Sequence, residues 1–208
     1  MNAKIRQRIY GAALSLLGVF PLATVSAAGT EDPAAQHPVQ ILDESLLKSM
    51  RAGAGQSATE RYQMLEPVVE AVFDLPLMTR LSVGPAWTEF SAEQQLAVIA
   101  AFKRLTIAGY AHNFQTFDGE QFTIDDNIET RGVDKIVQAK ITSKHETPAS
   151  LIYRVRESGG AWKIVDVYYD GISQLTMRRS DFGAAIAGGG AVGLIAHLNS
   201  LSDSLMKH

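Results

Sequence analysis

The chain contains no cysteine. That excludes disulfide cross-links, a lipoprotein acylation site and cysteine ligands for zinc. Positive charge is also scarce: 19 Lys and Arg stand against 22 Asp and Glu, for a net charge of −3. Such a balance argues against nucleic acid and against strong binding to an anionic lipid surface. Catalytic and metal signatures are missing as well. No GxSxG elbow occurs, and His37, His112, His145, His197 and His208 are scattered without a pair at metal-ligand spacing. Gly188, Gly190 and Gly193 satisfy GxGxxG, but a helical pattern rather than a strand precedes them, and no acidic residue follows at about twenty positions. They read as a helix–helix joint. No apolar run near the start is long enough to span a bilayer, which takes about 20 residues.

What stands at the start is a targeting pattern. Lys4, Arg6 and Arg8 precede a mostly apolar stretch broken by Pro21, and Val25-Ser26-Ala27 ends in small residues. Residues 1–28 are therefore expected to be a signal peptide cleaved near Ala27 or Ala28, which places the mature protein in the periplasm. The leader carries three positive and no acidic charges, so its removal takes the net charge from −3 to −6. Contact with a membrane would then be transient and made through partners. Residues 29–38 are polar with Ala and Pro, and are expected to be a disordered lead-in. Residues 39–208 are long enough to bury a core as a single domain held together by packing alone.

Apolar spacing predicts helices first. Ile41, Leu46, Leu47 and Met50 mark one helix ending near Gly53 and Gly55. Ser57 and Thr59 can cap a second, in which Pro67 predicts a kink or break. Asp74 precedes a third, carrying Leu77, Met78 and Leu81, and Ser91 with Gln94 forms a capping box for a fourth. The stripe on that fourth helix runs through Leu96, Ile99, Phe102, Leu105 and Gly109, widened by Val98, Ala101 and Tyr110. Alternating segments at 121–129, 133–143, 150–157 and 162–169 predict an antiparallel meander. Helices at 173–186 and 191–206 close the chain. The fold class is thus α+β: a helical layer packed on a four-stranded, curved antiparallel sheet with an apolar cavity between them.

The register of the last hairpin can be argued from charge. A two-residue turn at Gly159-Gly160 would set Arg156 against Lys163, and facing like charges destabilise a strand pair. A three-residue loop ending at Ala161 sets Glu157 against Lys163 and Arg154 against Asp166, and is preferred. One face then carries Leu151, Tyr153, Val155, Val165, Val167 and Tyr169, while the other carries Ile164 with the charged residues. Asp166 is the best candidate for a general base, but pairing with Arg154 makes it structural. Ser173, after Gly171, reads as a helix cap.

No catalytic or metal-binding residue is assigned. The facing surfaces instead suit a long aliphatic or polycyclic ligand. Leu77, Met78, Leu81, Trp87, Phe102, Leu105 and Tyr110 would line the cavity from the helical side. Ile124, Val137, Ala139, Ile141, Tyr153, Val155, Val165, Val167 and Tyr169 would line it from the sheet.

Several pieces occur in a recognisable order: Phe73-Asp74, Trp87, the Glu93-Gln94 helix start, Tyr110, Trp162 to Val167, Gly171-Ile172-Ser173, Arg179 with Phe182, and the glycine joint ahead of Leu194-Ile195. Over nearly the whole mature length the chain resembles the MlaC-like periplasmic lipid carriers, also called toluene-tolerance auxiliary proteins. The run from Arg80 to Trp87, and Arg178-Arg179-Ser180, look most like the hopanoid-associated HpnM branch. The resemblance implies a shuttle that shields phospholipid or hopanoid tails, an inner-membrane transport complex as partner, and no enzymatic activity or cofactor. The alternative is a small hydrolase or isomerase of the cone-shaped α+β fold, which would place an Asp or Glu side chain in the pocket. A third reading is an adaptor with a solid core.

Overall fold

The helices begin where side chains can satisfy their first N–H groups. Ser57 Oγ accepts from the Glu60 amide at 3.2 Å while the Glu60 carboxylate accepts from the Ser57 amide at 2.7 Å. Ser91 and Gln94 close a second capping box, and Asp74 accepts from the Leu77 amide at 3.0 Å. In the computed structural model, which describes residues 33–207, these caps open α2 (Ala58–Val72), α4 (Ala92–Asn113) and α3 (Leu75–Val83) respectively. Before them comes α1 (His37–Ala52). The expected signal peptide over residues 1–28 lies outside the described residues.

Two helical expectations are corrected. The part of the lead-in expected to be disordered that the structure describes is ordered: Pro33–Gln36 forms a 3₁₀ turn feeding α1, with Ala35 and Val39 fully buried. Pro38 sits in the first turn of α1, where a missing N–H breaks no bond. The second helix runs through Pro67 without a break, since a proline there removes one hydrogen bond while the flanking turns keep theirs. The stripe on α4 also starts later than its apolar residues do: Leu96 is 68 % exposed, whereas Phe102 is fully buried.

The sheet follows as β1 (Gln121–Arg131), β2 (Asp134–Thr142), β3 (Ala149–Ser158), β4 (Ala161–Tyr169) and β5 (Ile172–Ser173), in that order and antiparallel throughout. It has five strands rather than four. The fifth is a two-residue strand that pairs with Tyr168 and Tyr169 as the chain turns into the last helix. A parallel bridge from Phe73 to Ile164, with the Asp74 amide donating to the Ile164 carbonyl at 2.9 Å, ties the α2–α3 joint to β4.

The hairpin register differs from the expectation near its turn. Gly159 and Gly160 form a two-residue turn, both at positive φ (61° and 80°), and Arg156 does face Lys163. Each cation has its own acceptor, which removes the objection to that register. Arg156 Nη2 donates to Asp134 Oδ2 at 2.9 Å, and Lys163 Nζ donates to the Ala71 carbonyl. The extra residue is absorbed further along, at a bulge beside Val165, and beyond it Arg154 faces Asp166 as expected. The bulge moves Ile164 to the inner face, directly opposite Val155, and both are fully buried.

The last helix, α5 (Gln174–Met206), is broken at Gly190, whose φ of 56° and ψ of −141° are not helical. The glycine joint is therefore real. By length and composition α5 could cross a membrane, but the break leaves two segments, each shorter than the roughly 20 residues a span requires. Close approach dictates a second glycine, because a Cβ on Gly193 would lie 2.7 Å from the Ala185 carbonyl oxygen. Gly193→Ala is expected to lower stability by roughly 1–3 kcal/mol, as overpacking does. Urea unfolding checks this, and an unchanged midpoint would mean the joint relaxes freely.

Candidate functional site

An apolar cavity of about 140 Å³ opens between the helical layer and the sheet, with its mouth open to solvent. Its sheet wall is Leu151 and Tyr153 of β3 with Val167 and Tyr169 of β4. These form one face because alternate residues project to the same side and the register sets Leu151 against Tyr169 and Tyr153 against Val167. The opposite wall is one stripe of α4, comprising Thr106, Gly109, Tyr110 and Asn113, continued by Phe114 at its C-cap. Their spacing of three and four places them on a single helical face. Leu46, Phe73 and Met78 close one side, and Gln174 and Arg178, one turn apart on α5, close another. Part of the space exists because Gly109 has no side chain: a Cβ there would meet nothing within 4 Å. The rings form a continuous run, with Phe73 and Tyr110 at 5.7 Å and Tyr110 and Phe114 stacked at 5.8 Å.

Of the residues expected to line a pocket, the structure brings Met78, Tyr110, Tyr153, Val167 and Tyr169 to this cavity. Phe102, Leu105, Val137, Ala139, Ile141, Val155 and Val165 are buried in packed surroundings instead. Phe102, for example, meets Phe182 edge-on at 6.3 Å. Leu81 and Ile124 are half-buried against the core. Leu77 and Trp87 flank a separate surface groove shared with Arg80 and Arg156. The sequence reading missed Leu46, Phe73, Thr106, Gly109, Asn113, Phe114, Gln174 and Arg178, and placed Leu151 on the correct face without assigning it to the pocket. Helical spacing from Tyr110 could have found the α4 members. Arg178 had been singled out only within the Arg178-Arg179-Ser180 run that resembles the HpnM branch, not as a lining residue.

The polar chemistry lies at the edges of the cavity. Among the described residues, no Asp or Glu lines it. Behind the lining, Tyr153 donates to Asp43 Oδ1 at 3.3 Å, while Asp43 Oδ2 is buried without a partner. Burial pushes the Asp43 carboxyl up to about 7, against the opposing effect of the Tyr153 hydrogen bond. Burial also raises Tyr110, with the nearby Arg178 charge opposing it. Arg178 holds its guanidinium 5.1 Å above the Phe102 ring, and burial lowers its pKa although Tyr110 and Asp181 favour the charge.

The carboxylate expected to pair with Arg154, Asp166, has other partners. Arg154 turns away from Asp166 to join Arg156 on Asp134. Asp166 is held by the Ser173 hydroxyl at 2.7 Å and by the Val167 and Leu175 amides at 2.8 and 3.2 Å. Burial raises its pKa, and these donors offset part of the rise. Ser173 also accepts from the Thr176 amide at 3.1 Å, so it is a helix cap as expected. Both groups tie β4 to α5 and stand apart from the cavity lining.

Known proteins resemble this chain in sequence or in fold. A Pseudomonas putida protein described as toluene tolerance protein ttg2D is 22 % identical over 174 residues, covering 83 % of this chain and 80 % of its own. A solved Ralstonia solanacearum structure, described as a phospholipid-binding protein in complex with a phospholipid, superposes with a TM-score of 0.72 at 22 % identity. It covers 82 % of this chain and 98 % of its own. The family model described as MlaC protein matches residues 41–200, nearly the whole described fold, and the chain therefore belongs to the MlaC family.

Proposed function

We propose that this protein is a periplasmic lipid carrier that encloses the acyl tails of a lipid between α4 and the sheet and exchanges it with a membrane transport complex. The observation that carries this reading is the apolar cavity, whose α4 wall is left open at Gly109. Lipid tails cross water only when shielded, at about 25 cal/mol per Å² of apolar area. The cavity's walls are predominantly apolar, with polar groups only at the edges, which is the lining that suits a ligand of that kind. The fold shared with a protein solved around a phospholipid supports the ligand class. The basic and apolar leader supports export. Release calls for a docked partner that loosens the pocket, because deep burial alone makes dissociation slow.

One observation favours the cone-shaped hydrolase or isomerase alternative, namely the Asp43 carboxyl behind Tyr153. Asp43 itself is absent from the lining and only 4 % exposed, so a substrate in the cavity would meet the tyrosine rather than the acid. The carrier reading accounts for more of the site.

Native mass spectrometry of protein taken from its own periplasm, followed by organic extraction, is the direct test. A copurifying phospholipid or hopanoid at about one lipid per protein is the expected result. Protein that carries no lipid, and takes up none from phosphatidylethanolamine–phosphatidylglycerol vesicles, overturns the proposal.

A further inference from the structure

We infer that the first half of α5, residues 174–189, is a strap that lifts to admit the ligand, with Gly190 as its joint and Phe182 as its latch. This rests on the carrier reading and deepens it, by assigning the wall that moves. As it stands the cavity is small. An apolar space of about 150 Å³ holds one benzene molecule, and ligand pockets run from about 300 to 1,000 Å³. At about 140 Å³ the cavity takes no more than the end of an acyl chain. A wall therefore has to move before a tail can enter.

The other walls are held. Leu151, Tyr153, Val167 and Tyr169 belong to a continuous antiparallel ladder. The α4 stripe is backed by Phe102, Leu105, Ile107, Ala108 and Ala111, all buried, and Leu46, Phe73 and Met78 are themselves buried. What remains is the side closed by Gln174 and Arg178, and the half-helix that carries them is loosely attached. Between residues 174 and 189 only Leu175 and Phe182 are buried, whereas residues 191–206 bury Ala191, Leu194, Leu198 and Ser202. That second half is also pinned to α4, by Arg104 to Asp203 at 2.6 Å and by the Leu205 carbonyl 3.1 Å from His112 Nδ1. The strap's start is fixed, since the Ser173 hydroxyl and the Leu175 amide both donate to Asp166. Its end is free to turn. Gly190 has a φ of 56° and a ψ of −141°, a conformation that favours glycine, and Gly188 and Gly189 weaken the turn before it. In between, the Phe182 ring meets Phe102 edge-on at 6.3 Å. Local opening draws on segments with few buried apolar contacts, and here one buried ring holds the strap down.

Hydrogen exchange on the delipidated protein tests the strap. Amides of residues 178–189 are expected to exchange at least about tenfold faster than those of 194–202, and to slow on loading from phosphatidylethanolamine–phosphatidylglycerol vesicles. Gly188→Ala combined with Gly189→Ala adds Cβ atoms that meet nothing within 4 Å and firms the helix at the joint. That variant is expected to take up lipid from the same vesicles about five- to thirtyfold more slowly than wild type, with the same final loading. Phe182→Leu keeps an apolar side chain but loosens the latch, and is expected to load faster. Equal exchange in the two halves of α5, or an unchanged uptake rate in the double-alanine variant, overturns the strap and leaves the carrier reading standing. Loading that alters exchange in β3 and β4 but not in residues 178–189 makes the sheet the moving wall and overturns it equally. Absence of any uptake by wild type removes the carrier reading itself, and the strap with it.

Discussion

Asp43→Asn is expected to stabilise the protein at pH 8 while leaving it unchanged or weakened at pH 4. The Asp43 carboxyl is 4 % exposed and its second oxygen has no partner, so ionisation in the folded state is opposed by desolvation. Its pKa rises from 3.8 in the unfolded chain to about 7 in the folded one. Below pH 3.8 both states hold the proton, and the group contributes its full share. Between 3.8 and 7 the folded state binds a proton that the unfolded state has lost, so stability falls as pH rises. Above 7 the loss is complete. At about 1.4 kcal/mol for each pKa unit the ceiling is on the order of 4 kcal/mol. Asparagine abolishes that slope and keeps an oxygen for the Tyr153 hydroxyl, but it puts an unpartnered amide nitrogen where Oδ2 stands. The gain at pH 8 is therefore expected to be about 1–3 kcal/mol. The groups coupled to the site do not share the window: Tyr153 and Tyr110 are both raised above the usual tyrosine range and stay neutral. Urea titrations of both proteins from pH 4 to 8 decide it, and two parallel stability profiles would sink the assignment.

The same residue shows where the sequence was legible and where it was not. The caps at Ser91, Asp74 and Ser173 could be read because each needs only a side chain and an amide a few residues on. The alternation that placed Tyr153, Val167 and Tyr169 on one face is equally local. Asp43 is a different case. It occupies a buried face of α1 between Leu42 and Leu46, and its partner Tyr153 is 110 residues away. A helical pattern shows the acid but not the tyrosine that meets it. Pocket lining failed for a related reason. Phe102, Val137 and Val155 are as apolar as Tyr110 and Val167, and hydropathy does not distinguish a surface that touches its neighbour from one that faces space. The hairpin went wrong because charge repulsion was weighed within two strands, while Asp134 on the adjacent strand and the Ala71 carbonyl on α2 supply the missing acceptors. Long-range partners decided each of these points.

The second large effect follows from the one lining position with no side chain. Gly109→Phe is expected to abolish lipid loading without unfolding the protein. Gly109 is helical, and a Cβ there meets nothing within 4 Å, so the new ring enters the cavity rather than a neighbour. In a helix interior glycine is about 1 kcal/mol less favourable than alanine, and phenylalanine recovers part of that. The ring also buries apolar area against Tyr110 and Phe114, at about 25 cal/mol per Å². The delipidated variant should therefore be as stable as delipidated wild type, or more so. The comparison has to be made between delipidated samples, since bound lipid would itself raise the wild-type value. Ala139→Trp is the necessary contrast. Ala139 is 3 % exposed in the packed sheet face and does not line the cavity, so tryptophan there overpacks the core and costs about 1–3 kcal/mol or more. Loss of lipid together with loss of stability at Ala139 would be uninformative. Loss of lipid with stability kept or gained at Gly109 identifies the space itself as the binding site. If Gly109→Phe retains a full complement of copurifying lipid, the tails lie elsewhere, and the cavity between α4 and the sheet is not the carrier's hold.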